Sequence, residues 1–166
     1  MAAKPIYNDS QVVSTLTNTG GAAWHSSVIG YNFPASISSS AAESYGFSHA
    51  TANQQSMTDY WMQAWNDVIG ASIVRVADSV KANITVANSS APSYAYSYYP
   101  SSYFSAGVYL NPAFGDSSGT NNLVNPKLGD WGGMAIGHEI GHALGLSHPG
   151  SYNGGSPTYD ASAVYM

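Results

Sequence analysis

Apolar side chains recur at three- and four-residue intervals between residues 51 and 68, which predicts an amphipathic helix. Thr51 at its start and Gln54 three residues later have the spacing of a capping box. The apolar positions share one side of this helix and comprise Met57, Tyr60, Trp61, Ala64, Trp65 and Val68. An aromatic stripe can act as a ligand platform, but a stripe confined to one side favours core packing.

Runs of β-branched and aromatic residues predict five strands. They cover residues 27–33, 72–76, 83–87, 94–99 and 106–110. A shorter helix is predicted over residues 8–19, with Asn8 or Asp9 as its N-cap and Gly20 and Gly21 as its stop. This helix is expected to pack on the domain as a brace, although it could instead bind a partner.

A third helix is predicted over residues 131–144, after a Gly-, Asn-, Pro- and Ser-rich loop at residues 111–127. Asp130 is its expected N-cap. His138 and His142 face roughly away from its apolar side, which consists of Ile136, Ile140, Ala143 and Leu144. A helix with an apolar face and a histidine face should lie between the core and a cleft.

Glycines are unusually frequent in this third helix, at Gly132, Gly133, Gly137 and Gly141. Each destabilises a helix by about 1 kcal/mol relative to alanine. Their presence is understandable if another backbone packs very closely against these positions.

The same helix carries the spacing of a metal site, because His138 and His142 are four residues apart. That spacing puts them one turn apart on one face, where both can reach a zinc ion at about 2.0–2.1 Å. Gly145 suits a left-handed turn after the helix, and this turn would bring His148 back as a third ligand. Three protein ligands leave a fourth position for water, as in catalytic zinc sites.

Glu139 follows the first of these histidines and points about 100° around the helix from it. Its carboxylate can then reach a water at the metal, which is the general-base position of a metallopeptidase. A helix with scattered, non-binding histidines is the alternative, but it does not explain why five positions of the motif are filled together by His138, Glu139, His142, Gly145 and His148. His25 and His49 lie far from the motif in sequence and are expected to be ordinary surface or core histidines.

Composition narrows the class of protein. Hydrophobic residues make up 44% of the 166 positions, which indicates a globular chain with one domain over residues 1–166. The net charge of −5 argues against nucleic acid or an anionic membrane as partner. No apolar run approaches the roughly 20 residues that span a bilayer, and the N-terminal residues lack the apolar run of a secretory signal. The absence of cysteine excludes disulfides and a cysteine-ligated zinc site.

The segment 138–150, with the sequence HEIGHALGLSHPG, resembles the zinc signature of the serralysins, which are secreted bacterial metalloproteases of the metzincin clan. Within that clan the residue after the third histidine separates the families, and Pro149 followed by Gly150 is the serralysin choice. Other stretches resemble the family in the same order, at residues 31–34, 55–68, 82–85, 95–96 and 125–131. The resemblance therefore covers the chain from about residue 5 to residue 165.

The resemblance implies an α+β fold of metzincin type, in which a twisted mixed sheet of about five strands packs against the 51–68 helix and the zinc-binding helix. It also implies that residues 94–99 form the sheet edge at the cleft, where a peptide substrate would add as an antiparallel strand. From the sequence alone, residues 106–110 are an alternative edge.

Serralysins continue past the third histidine to a Met-turn, with a nearby tyrosine that is an additional zinc ligand, and then to a calcium-repeat domain. Neither feature is found here, because Tyr165 and Met166 have the wrong order and come too soon after His148. We therefore expect a truncated catalytic domain that represents its N-terminal part. Calcium is expected only with the absent repeats.

Motif and resemblance together predict a zinc metalloendopeptidase that acts on proteins or peptides. One catalytic Zn²⁺ would be held by His138, His142 and His148, with Glu139 as general base; the substrate-binding residues are not identified. The resemblance implies a secreted, extracellular protein, and a monomer is favoured. The alternative is a catalytically impaired fragment or degenerate family member that binds zinc and peptides. A structural metal protein is disfavoured by the open three-ligand site.

Overall fold

A computed structural model describes residues 6–17, 19–114 and 122–148, and these contain the predicted elements in the predicted order. The α-helices are α1 (Asp9–Leu16), α2 (Ala52–Asn66) and α3 (Trp131–Ala143). The strands are β1 (Val28–Asn32), β2 (Ser72–Arg75), β3 (Ile84–Asn88), β4 (Ala95–Ser97) and β5 (Ala106–Leu110). Short 3₁₀ turns lie at Ala42–Ser44 and Pro112–Phe114. The fold is α+β, as predicted.

The five strands form one mixed sheet in the order β2-β1-β3-β5-β4. Neighbouring strands are parallel except for β4, which runs antiparallel to β5 with Tyr96 opposite Tyr109. β4 therefore lies at the sheet edge, and β5 is an internal strand whose five residues are all buried. This arrangement confirms residues 94–99, and not 106–110, as the edge.

The helices begin where their capping residues predict. Asn8, Thr51 and Asp130 each accept a hydrogen bond from the backbone N–H three residues later, and the capping box between Thr51 and Gln54 is complete. α1 ends at Leu16, three residues before its predicted end, with Thr17 as its C-cap. None of the described helices combines the length and the apolar character needed to cross a bilayer.

The core lies between the sheet and the inner sides of α2 and α3. The predicted apolar side of α3 is confirmed, since Ile136, Ile140 and Ala143 are completely buried. The predicted stripe on α2 is only partly right, because Tyr60 and Val68 are exposed. Polar residues are buried on this helix together with the apolar ones, and the buried set is Gln54, Met57, Thr58 and Met62. The buried face of α2 is therefore rotated relative to the purely apolar stripe.

Close packing explains the glycines of α3, although only two of them contact another backbone. A Cβ at Gly132 or Gly133 would overlap the carbonyl oxygen of Asn122 or Lys127, respectively. Gly137 and Gly141 instead face the indole rings of two tryptophans of α2. The predicted backbone contact is therefore right for the first pair and wrong for the second.

Candidate metal centre

α3 ends in a turn that returns the chain toward its own histidine face. Gly145 adopts φ +105°, the left-handed conformation predicted for it. The Gly145 N–H donates to the His142 carbonyl (2.9 Å) and the Leu146 N–H to the Gly141 carbonyl (3.0 Å). These two bonds form a Schellman motif, and three residues after Gly145 the chain places His148 beside α3.

The three histidines predicted as ligands point their Nε2 atoms at one another. The Nε2 of His138 lies 3.0 Å from that of His148 and 3.1 Å from that of His142, and His142 and His148 are 3.1 Å apart at the same atoms. Among the described residues, these three are the group of His and acidic side chains whose geometry could hold a metal ion.

A hydrogen bond outside the triangle fixes the tautomer of one ring. His142 Nδ1 lies 2.6 Å from the Leu146 carbonyl oxygen. A carbonyl can only accept, so Nδ1 carries the proton and Nε2 presents its lone pair to the centre of the triangle. A hydrogen bond from the ring nitrogen that faces away from the metal is typical of metal-binding histidines.

The lowered pKa values of His138 and His142 also favour binding of a metal cation. Desolvation, together with repulsion from His142 and His148, lowers the pKa of His138 to about 4. Desolvation also lowers the pKa of His142, while its bond to the Leu146 carbonyl opposes the change. Neutral imidazole is the form that binds metal, so near neutral pH these rings are ready to act as ligands.

The triangle fits a tetrahedral ion with one open position. Nitrogens bound at about 2.0–2.1 Å in a tetrahedron lie about 3.3–3.4 Å apart, and the observed separations of 3.0–3.1 Å are close to that value. Imidazole nitrogens suit zinc and other transition metals, whereas calcium and magnesium prefer oxygen ligands.

Comparison with known proteins connects this geometry with a family. The chain is 33% identical to Metallopeptidase AprA of Pseudomonas marginalis over 173 aligned residues, which cover 95% of the chain and 35% of that protein. It is 31% identical to Serralysin B of Dickeya chrysanthemi, with 98% of the chain and 36% of that protein covered. By sequence, the chain is serralysin-like over nearly its whole length. It spans about a third of the length of these relatives, and no protein-family model matches it.

Glu139 of this serralysin-like chain is a buried carboxyl group, 9% exposed, at the edge of the cleft that holds the histidines. Burial raises its pKa to about 7 in the metal-free protein. A carboxyl group with a pKa near neutrality can both take up and release a proton at physiological pH.

The cleft is a cavity of about 220 Å³ between α3 and the sheet edge, lined by Ala95, Tyr96, Ser97, Tyr99, Glu139, His142 and His148. The structure thus brings together all four residues that the sequence predicts for the site of this serralysin-like chain. The segment containing Tyr165 and Met166 lies outside the described residues.

The structure adds two groups that sequence spacing does not reveal. One is the Leu146 carbonyl on His142, and the other is Tyr99, whose ring lies edge-on at 5.9 Å from the His142 ring. The histidines outside the motif are exposed, and His49 lies 3.0 Å from the Phe33 carbonyl and 3.4 Å from Asp78. Both are surface histidines, in keeping with the prediction.

Proposed function

We propose that this chain carries the zinc site of a metalloendopeptidase that hydrolyses peptide bonds of proteins. The observation that carries the proposal is the triangle of His138, His142 and His148, with Nε2 separations of 3.0–3.1 Å, beside the buried carboxyl of Glu139. The similarity to proteins named metallopeptidase and serralysin supports it.

The three histidines would hold one Zn²⁺ through Nε2. When bound, zinc supplies Lewis acidity to a water molecule and to the scissile carbonyl group. The Nδ1–H bond of His142 to Leu146 holds one ligand ring in orientation. Three ligands from the protein leave the fourth position to water or substrate.

Glu139 acts as the general base in this proposal. Its pKa of about 7 in the metal-free protein arises from desolvation, and a nearby cation favours the carboxylate form. The carboxylate accepts the proton of the attacking water and then delivers it to the leaving amine. The same carboxyl therefore serves both proton transfers.

The edge strand β4 provides the place for the substrate backbone. It pairs with β5 on one side, and no other described strand pairs with it. An extended peptide can add to such an edge as an antiparallel strand, next to the cleft that Glu139 and His148 line. The resemblance to serralysins implies a secreted, extracellular location, where the enzyme would encounter its protein substrates.

Replacing Glu139 with glutamine tests the base. Glu139→Gln should retain zinc affinity, because the carboxyl is not a ligand, and lose at least about 100-fold in cleavage of a denatured protein, because general base catalysis is removed. Zinc affinity is measured by competition with a chromogenic chelator, and cleavage by release of peptides. Wild-type cleavage by Glu139→Gln would exclude the mechanism.

Replacing His148 with alanine tests the third ligand. His148→Ala should weaken zinc binding by at least about 10-fold, because a ligand is lost from a three-histidine site. The matched control is His25→Ala, since His25 is an exposed histidine outside the triangle. Equal zinc affinity of the two variants would remove His148 from the ligand set.

The second candidate function is binding of zinc and peptides without catalysis. In this case the wild-type chain would bind zinc through His148 and bind peptide in the cleft, but it would cleave no more substrate than Glu139→Gln does. Cleavage that depends on both zinc and Glu139 excludes it.

A further inference from the structure

His148 is the candidate ligand whose position depends most on its surroundings, because it lies outside α3. His138 and His142 are fixed by the helix backbone, whereas His148 follows a turn of four residues. Any element that holds this turn also determines where the third imidazole lies.

Three residues near the N-terminus contact the end of α3 and this turn, and we refer to Leu16, Ala22 and Trp24 as the N-terminal contacts. The Leu16 carbonyl accepts a hydrogen bond from the Ser147 N–H at 2.6 Å. The Trp24 indole N–H donates to the Ala143 carbonyl at 2.9 Å. The Ala22 carbonyl faces Gly145 so closely that a Cβ there would lie 2.8 Å from its oxygen.

The N-terminal segment runs antiparallel to the turn. Trp24 contacts Ala143 at the helix end, Ala22 contacts Gly145, and Leu16 contacts Ser147 next to the candidate ligand. The Trp24 bond satisfies a carbonyl of the last helical turn, which has no partner within the helix. The Leu16 bond restrains the peptide N–H directly before His148. Restraining a segment before a ligand binds reduces the entropy that binding must remove.

α1 contributes little to the core, since none of its side chains is buried. Leu16 ends this helix and also borders a small cavity together with His138, His142 and Ser147. The location of α1 is thus better explained by its contact with the turn than by burial of apolar surface.

We infer that the N-terminal contacts position His148 for metal binding, so that Leu16, Ala22 and Trp24 are positioning residues of the metal centre. The inference rests on the proposed zinc site. A brace with a purely structural role would affect the stability of the fold and leave the zinc affinity of the folded protein unchanged.

The test compares two tryptophans that each donate to a carbonyl of α3. Trp24→Phe removes the bond to Ala143, next to the turn, and Trp61→Phe removes the 2.6 Å bond to Gly133, near the start of the helix. Both variants keep an aromatic ring. We expect Zn²⁺ affinity to fall about 10-fold in Trp24→Phe, as for loss of a hydrogen bond that holds a ligand in place, and to stay within about twofold of wild type in Trp61→Phe.

A second pair of variants uses glycines with positive φ. Gly145→Ala and Gly129→Ala each place an alanine at a positive φ, of +105° and +86° respectively. A Cβ at Gly129 meets nothing within 4 Å, whereas at Gly145 it meets the Ala22 carbonyl. Gly145→Ala should weaken Zn²⁺ binding about 10-fold relative to Gly129→Ala. The visible spectrum of bound Co²⁺ should change in Gly145→Ala and Trp24→Phe and not in their controls, because it reports the ligand geometry.

All measurements use the full chain, with folding checked by circular dichroism and stability by urea unfolding without metal. If the wild-type chain binds Zn²⁺ through His148 but Trp24→Phe and Gly145→Ala bind it like their controls, this inference is overturned and the zinc site stands. If wild type binds no Zn²⁺, or His148→Ala binds it equally well, both proposals are overturned.

Discussion

Gly137 of α3 packs against Trp61 of α2 more tightly than Gly141 packs against Trp65. A Cβ at Gly137 would lie 2.5 Å from the Trp61 ring, whereas at Gly141 the nearest atom of Trp65 is 3.2 Å away. The Trp61 indole is also held by its short bond to the Gly133 carbonyl, while Trp65 makes a longer bond of 3.3 Å. The first ring therefore has less freedom to move aside.

Gly137→Ala should destabilise the metal-free protein by about 1–2 kcal/mol. Alanine gains about 1 kcal/mol in helix propensity, but forcing an atom into a packed contact costs about 1–3 kcal/mol, and the fixed ring at this site favours the upper end. Gly141→Ala should be nearly neutral, because a shift of a few tenths of an ångström relieves it. Urea unfolding measures both; equal stability of the two variants would contradict this account.

At the scale of elements, Gln54 connects α2 with its neighbours. Its side chain is fully buried and donates to Asn88 of β3 (2.7 Å) and to the Leu123 carbonyl in the segment before α3 (2.8 Å). Its carbonyl oxygen accepts from the Thr51 N–H and closes the capping box. One side chain thus joins a helix start, a strand and the segment that leads into α3.

Gln54→Leu should destabilise the protein by about 2–4 kcal/mol, because it leaves buried polar partners without hydrogen bonds. Gln63→Leu is the matched control on the same helix, since Gln63 is exposed and bonds through its side chain to Asp67 alone among the described contacts. The control should change the free energy of unfolding by less than about 0.5 kcal/mol. Similar values for both variants would show that the buried network contributes little.

These elements also show which parts of the fold are readable from the sequence. The helix starts at Asn8, Thr51 and Asp130 are predictable because a cap depends on residues within one turn. The rotation of the buried face of α2 is not, because the apolar stripe gives no indication that polar Gln54 and Thr58 are buried or that Gln54 bonds to distant segments.

The site divides in the same way. His138, Glu139 and His142 come together through helix geometry, and Gly145 predicts the turn before His148. In contrast, the bond from Trp24 to Ala143 joins residues 119 positions apart, and the Leu146 contact is made by a backbone carbonyl. Neither contact leaves a pattern in the sequence, so both could be identified only from the three-dimensional structure.

At the scale of the whole molecule, charged side chains are few, so the titratable groups of the site account for a large share of the pH dependence of stability. The chain has only 13 Lys, Arg, Asp and Glu side chains (4 and 9), and the described residues contain the ion pair Arg75–Asp59 and a 3.4 Å contact between His49 and Asp78. The groups of the site with shifted pKa values are His138 and His142, whose pKa is lowered, and Glu139, whose pKa is raised.

These three groups act in opposite directions on the stability of the metal-free protein. Desolvation and repulsion from the neighbouring imidazoles lower the pKa of His138 to about 4 and also lower the pKa of His142, so the unfolded chain binds more protons there, and stability is lost as the pH falls below 6.5. Burial raises the pKa of Glu139 to about 7, so the folded chain binds more protons there, and its contribution is lost as the pH rises from 4.5 to 7. The effect of two histidines on stability is thus opposed by the effect of one carboxyl group, and the histidines should determine the direction of the change.

The free energy of unfolding in the presence of a chelator should therefore rise with pH between 4.5 and 6.5, and it should rise more steeply in Glu139→Gln. The substitution removes the one group of the three that opposes the histidines, and glutamine does not titrate. Urea unfolding at several pH values in both proteins measures the two slopes. A shallower slope in Glu139→Gln would mean that Glu139 is ionised in the folded protein throughout this range, contrary to the desolvation that its burial implies. A flat profile in both proteins would show that the histidines are not desolvated before metal binds.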